Sequence, residues 1–296
     1  MKGNVIQEMN KIAVYIPNYN GADFLRKVYI PKGCDCVVMD NRSTDDSVNV
    51  CGERGFICVE NETLVSRTEN WLRCINHFRT QSYEWMKWLF IGDELKNDSY
   101  QIMTEAAANA KGSAVVLFDY YINTGSRNTV KSWMDHFEPG VVENKVAKLS
   151  YIEKGSFASP ICIMLSKNCD FDRIDLTGLS WAADVRMLDQ LIGDCSIYYC
   201  NRSVGVFNSR QRKTYSLDKR KLSSYLETMY VMYSSYRNFR MQYPDTLIDG
   251  SWFQNHMIDC LTDNINSGKV FFLITKSLLR GLGKLIFKKN GGDLRI

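Results

Sequence analysis

Along the first 120 residues, strand-like runs alternate with stretches of helical period. The runs are Ile12–Ile16, Asp35–Met39, Phe56–Val59, Lys87–Ile91 and Ala114–Phe118; the helical stretches are Ala22–Val28, Thr44–Cys51, Glu69–Gln81 and Ser99–Ala110. Short apolar runs bounded by turn residues predict strands covered on both faces, and the 3.6-residue spacing between them predicts crossover helices. Ser43 stands where an N-cap for the second helix is expected. Strand and helix in alternation predict an α/β protein with a mostly parallel sheet joined by right-handed crossovers. Its functional edge lies at the carboxyl ends of the strands. Those ends carry Pro17–Asn20, Asp40–Arg42, Asn61, Gly92–Leu95 and Asp119.

Beyond residue 120 the pattern is less regular. A polar stretch Asn123–Asn128 and an aromatic segment Trp133–Phe137 precede a strand-like Ile161–Leu165, a helix near Ala182–Leu191 and a strand Ser196–Tyr199. From Asp218 onward helical periods dominate, over Lys219–Gln242 and Trp252–Asn266, before a last segment Lys269–Lys289. The expected organisation is one α/β domain over 1–215, with a ligand half of about 1–120 and a second half of about 121–215, followed by a helical region over 216–296.

Two strand ends carry the clearest chemistry. The first strand runs into Pro-Asn-Tyr-Asn-Gly and the second ends on Asp40 and Asn41, a crevice suited to a nucleotide without a glycine phosphate loop. Tyr19 offers a ring face to a base; Asp40 or Asn41 can bond a base edge or ribose hydroxyls. A polar turn with a helix start accounts for Ser43, Asp45 and Asp46 but not for the whole string. Asp93 and Glu94 follow a buried strand, where an acidic pair faces either the crevice or a solvated turn.

The strings VYIPNYNGADFL, VVMDNRSTDDS, NWLRC at Asn70–Cys74 and WLFIGDEL at Trp88–Leu95 resemble, in order and spacing, the family-2 inverting glycosyltransferases of the GT-A fold, among them bacterial polysaccharide and O-antigen enzymes. The likeness covers about residues 10–210. It implies a Rossmann-like central sheet flanked by helices, with Pro17, Tyr19 and Asn20 lining the nucleotide pocket and Asp40 binding a base, typically uracil, supported by Asn41 and Arg42. It further implies that Asp93 and Glu94 form the acidic motif holding Mn2+ or Mg2+ against the donor diphosphate, hard oxygen ligands on a hard cation. Glu94 departs from the pattern, standing where aspartate is commoner.

An inverting transfer also needs a carboxylate to deprotonate the acceptor hydroxyl. Asp184 and Asp189 lie on one predicted helix, five residues and so about 140° apart in direction. In the resembled family the base stands at the start of this helix, which selects Asp184. Asp189 is then expected on the solvent side, with Asp172 and Asp175 as loop alternatives. Arg67 reads either as a cation near the nucleotide or as a surface arginine. Asn70 and Trp71 match a helix start packed under the donor, with Trp71 more core than ligand. Arg210, Arg212 and Lys213 read equally as a basic loop approaching the diphosphate or as plain exposed charge.

Composition refines this picture. The 296 residues, 45% hydrophobic and 24% charged, describe a globular chain, and the net charge of +4 is too small to argue for nucleic acid. Its ten cysteines show no metal spacing and MKGNVIQEMNK lacks a secretory core, which suggests reduced thiols in the cytoplasm. In the segment Val270–Lys289, Lys276, Arg280, Lys284, Lys288 and Lys289 recur every four residues or so beside an apolar face. That is the pattern of a helix lying on an anionic membrane surface, with docking on the catalytic domain as the rival. The sequence thus points to transfer of a sugar, most simply from a UDP-hexose, to a carbohydrate acceptor such as a lipid-linked glycan at the inner face of the membrane. A non-catalytic nucleotide-sugar-binding module and a sugar nucleotidyltransferase are the alternatives.

Overall fold

The structure, a computed structural model, describes residues 11–208, apart from 111, 158, 181 and 194, and residues 222–248. Contacts divide the chain into two units, Met1–Ile248 and Asp249–Ile296. The second unit lies outside the described residues, and so do the expected helix Trp252–Asn266, the basic segment Val270–Lys289, and Arg210, Arg212 and Lys213.

The first half begins with β1 (Ile12–Asn18), α1 (Ala22–Lys27), β2 (Asp35–Asp40), α2 (Ser47–Arg54), β3 (Ile57–Glu60), α3 (Arg67–Thr80) and β4 (Trp85–Trp88). The short β5 (Glu94–Leu95), α4 (Ser99–Asn109) and β6 (Val115–Asn123) follow. The second half contains β7 (Asn128–Lys131), β8 (Gly140–Val142), α5 (Asn144–Lys154), β9 (Ile163–Ser166), α6 (Ala183–Leu191), β10 (Ile197–Asn208) and α7 (Leu222–Gln242). The main path through the sheet runs β3-β2-β1-β4-β9-β6-β10-β5, with β7 on β6 and β8 on β10.

The parallel order expected of βαβ units holds across β3, β2, β1 and β4 and again between β6 and β10. Between these blocks β9 runs antiparallel to both β4 and β6, and β5, β7 and β8 are also antiparallel, so the sheet is mixed. Residues Ile12–Ile16 are all buried, as a central strand covered on both faces requires.

Three local expectations change. The fourth strand ends at Trp88 rather than Ile91, because Phe90–Asp93 closes a turn through Asp93 N–H to Phe90 O at 2.9 Å. Helix α2 starts at Ser47, and its N-cap Asp46 makes no side-chain cap bond; Ser43 is drawn instead to Asp40. Helix α3 is capped by Ser66, whose hydroxyl accepts from Glu69 N–H at 3.2 Å.

Beneath the turn that follows β4 sits a buried lysine. Lys87 is fully buried, and its ammonium donates to the carbonyls of Trp88, Pro160, Ile161 and Ile163 at 2.6–3.3 Å. Burial pulls its pKa down to about 7, against the opposing pull of Cys162 and Asp93.

Candidate functional site

The register of β1 on β2 places Asn18 beside Asp40, at the ends of the two strands. Asn18 Nδ2 donates to Asp40 Oδ1 at 2.8 Å and to Ser43 Oγ at 3.2 Å; Ser43 in turn donates its N–H to Asp40 Oδ2 and its hydroxyl to Oδ1, at 2.9 and 2.5 Å. Asn20 N–H reaches Ser43 Oγ at 2.9 Å, and Thr44 N–H reaches Asn20 Oδ1 at 2.8 Å. These bonds clasp the two loops together. The clasp leaves Asn20 and Arg42 at φ of 53° and 61°, backbone strain of the kind that persists where surrounding structure over-determines a loop. Gly21 has a steric reason as well: a Cβ there would stand 2.2 Å from Asn18 Oδ1.

Asp40 is 1% exposed and both its oxygens are engaged, so the structure makes it the clasp between the loops. Asn41 is also buried. Its amide donates to Val65 O at 2.9 Å and accepts from Val65 N–H at 3.0 Å, while Asn61 Nδ2 bridges it to Asn70 Oδ1. This chain of amides holds the loop that ends in Ser66 and delivers Arg67. Asn18 and Asn61, which the sequence places at strand ends without a role of their own, are the hubs.

Around this buried frame Tyr19, 49% exposed, stands with the exposed Asn20, Arg42 and Arg67, and Pro17 is half-buried. Arg67, at the first position of α3, lies over the Trp71 ring with its guanidinium carbon 5.2 Å from the centroid. Trp71 is 4% exposed, which makes it core, and packs tilted against Phe90 at 4.8 Å, which meets Trp88 edge-on at 5.6 Å. An aromatic column therefore links the arginine to the acidic turn.

In that turn Asp93 is fully buried and Glu94 exposed. Asn208, at the end of β10, donates to Gly92 O at 2.8 Å and to Glu94 Oε1 at 2.9 Å. Gly205 permits this approach, since a Cβ there would come within 2.5 Å of Glu94 O. Carboxylate oxygens are hard donors of the kind Mg2+ or Mn2+ takes, and of the two residues only Glu94 reaches the surface. Among the described residues no cluster of three or more His, Cys, Asp or Glu is present, so such an ion would complete its shell with phosphate oxygens and water.

Asp184 lies in the first turn of α6. Helix α6 precedes β10 and is tied to α5, where the Tyr151 hydroxyl donates to Val185 O at 2.7 Å. The other three carboxylates are engaged elsewhere. Asp189 is 2% exposed, not solvent-facing: Lys148 of α5 donates to its carbonyl at 2.7 Å and to its carboxylate. Asp172 pairs at 2.9 Å with Arg79 in the last turn of α3, just before β4 begins and so at the opposite edge. Asp175 accepts from Thr177 N–H at 2.9 Å, and hydrogen bonds from Thr177 hold its carboxyl below the usual range.

No family model matches the chain, and no curated protein matches it. Among solved structures it is similar to S. aureus TarS 1-349 in complex with UDP-GlcNAc, at 14% identity over 86% of this chain and 73% of that one, with a TM-score of 0.59. TarS 1-349 alone aligns at 16% identity over 86% and 80%, TM-score 0.55, and its complex with UDP at 11% over 86% and 72%, TM-score 0.54. At such identities the likeness establishes the fold, an α/β architecture with a central sheet flanked by helices that matches GT-A glycosyltransferase structures. No described helix is long and apolar enough to cross a membrane.

Proposed function

We propose that the chain is an inverting glycosyltransferase of the family-2 type, moving a sugar from a nucleotide diphosphate, most simply a UDP-hexose, to a carbohydrate acceptor. The observation that carries this is the clasp of Asn18, Asp40 and Ser43, which fixes two loops at the sheet edge with Tyr19, Asn20, Arg42 and Arg67 exposed around it. The likeness to a protein crystallised with UDP-GlcNAc supports the donor class.

In this reading Tyr19 gives its ring face to uracil, Asp40 keeps the base-reading loop in place, and Arg67 meets the negative diphosphate. Asp93 and Glu94 would hold a divalent ion, which when bound neutralises charge on the departing diphosphate. Asp184 takes the proton from the acceptor hydroxyl as that oxygen attacks from the face opposite the nucleotide. Arg210 and Arg212, which follow β10 in the sequence and lie outside the described residues, would add cations for the same diphosphate. A lipid-linked glycan of a bacterial surface polysaccharide fits as acceptor if the basic segment Val270–Lys289 lies on the inner face of the membrane.

The purified chain is expected to release UDP from at least one of UDP-glucose, UDP-galactose and UDP-N-acetylglucosamine, faster with Mn2+ or Mg2+ than with EDTA. Binding of these donors with no release and no transfer would favour a non-catalytic module; formation of a UDP-sugar from UTP and a sugar phosphate would favour a nucleotidyltransferase.

A further inference from the structure

Helix α6 has a defect at the end that matters. Its N-cap is Ala182, which has no side-chain acceptor, and no side-chain cap bond is made there from within the helix. The amide groups at a helix start need acceptors, and a neighbouring anion also suits the positive end of the helix dipole. Part of this is supplied from a distant element. Glu227, on α7, accepts from Ser180 N–H at 2.9 Å and from Ala182 N–H at 3.2 Å through the same oxygen, Oε2. The next residues of the chain are Ala183 and Asp184.

A carboxylate that grips the two amides just before Asp184 controls where that side chain stands. Tyr151 also supports this stretch, its buried hydroxyl donating to Val185 O at 2.7 Å, and Asp184 Oδ1 itself accepts from Val185 N–H at 2.9 Å. Tyr151 thus holds the helix from the α5 side and Glu227 from the α7 side. We infer that Glu227 is a positioning residue for Asp184, so that the helix following the sheet domain is part of the catalytic apparatus. The inference rests on the transferase reading given above.

The test uses the full chain, with UDP release from whichever of the three UDP-sugars the wild type turns over, and compares Glu227→Ala, Glu227→Gln, Asp184→Asn and the double variant Asp184→Asn with Glu227→Ala. Glu227→Ala is expected to lower kcat by about 10–100-fold, the scale of a catalytic group displaced by an ångström or so, with donor KM unchanged. Glu227→Gln retains an acceptor oxygen and is expected to recover most of the loss. In the Asp184→Asn background the alanine change adds nothing further. Amide exchange at Ser180 and Ala182 should quicken in Glu227→Ala and remain slow in Glu227→Gln, a readout independent of turnover. A wild-type kcat in Glu227→Ala, a rise in donor KM alone, equal damage from glutamine and alanine, or an added loss on Asp184→Asn overturns the inference while leaving the transferase reading intact. A wild type that turns over no donor, even where the exchange pattern is as expected, removes the transferase reading and the positioning role with it.

Discussion

Asp184→Asn is expected to reduce sugar transfer by about 10²–10⁴-fold, the usual worth of a general base, while the affinity for UDP stays at the wild-type level. Asparagine is nearly isosteric, and its carbonyl can still accept the 2.9 Å bond that Asp184 Oδ1 takes from Val185 N–H, so the first turn of α6 should persist. What is lost is the ability to take a proton. Calorimetric titration with UDP beside a turnover assay separates the two effects. Equal turnover in variant and wild type would return the role of base to another carboxylate, and Asp189, Asp172 and Asp175 are already engaged in the structure.

A second large effect is expected from Lys87→Met. Methionine fills a similar volume but leaves four carbonyls without their shared donor and removes the ammonium that acts on Asp93. Leaving buried acceptors without a donor costs about 1–3 kcal/mol. A midpoint drop of about 2–4 °C per kcal/mol should follow. The pH dependence checks the cause. Burial lowers the folded-state pKa from 10.5 to about 7, so between these values the unfolded chain holds a proton that the native lysine has released. Wild-type stability from this group is therefore complete above 10.5 and lost as pH falls through about 7, at up to about 1.4 kcal/mol per pH unit. Lys87→Met should lack that slope. A melting curve unchanged in both midpoint and pH dependence would contradict the assignment.

How legible the fold was depended on how local its causes are. Strands β1 and β2 declare themselves because central strands of a covered sheet are continuous apolar runs ending in turn residues, and the carboxyl-end residues they deliver, Pro17–Asn20 and Asp40–Arg42, do gather at one edge. Strands β5, β7 and β8, of two to four residues, are too short to show a period, and the antiparallel insertion of β9 follows from long-range pairing that local pattern does not encode.

Within the site the misses share one form: a side chain claimed by a partner far along the chain. Ser43 is a residue type suited to an N-cap, yet its hydroxyl is taken by Asn18 and Asn20 of the first loop, as well as by nearby Asp40. The helical rotation that separates Asp189 from Asp184 is sound, but the far face of α6 meets Lys148 instead of water. Asp40 and Asn41, beside the donor contact proposed for that loop, also hold the loops that present Tyr19 and Arg67, a role that pattern along the chain does not show. Lys87 carried a signal that could have been used, a single cation inside the apolar run WMKWLFI.

The central claim is that the edge formed by β1, β2 and the acidic turn is a nucleotide-sugar site, and the most direct measurement is a crystal structure of the chain grown with UDP and Mn2+. The account predicts uracil against Tyr19 beside the Asn18–Asp40–Ser43 clasp, with the diphosphate directed to Glu94 and Arg67. UDP bound elsewhere on the protein, or no UDP bound at saturating concentration, would contradict it.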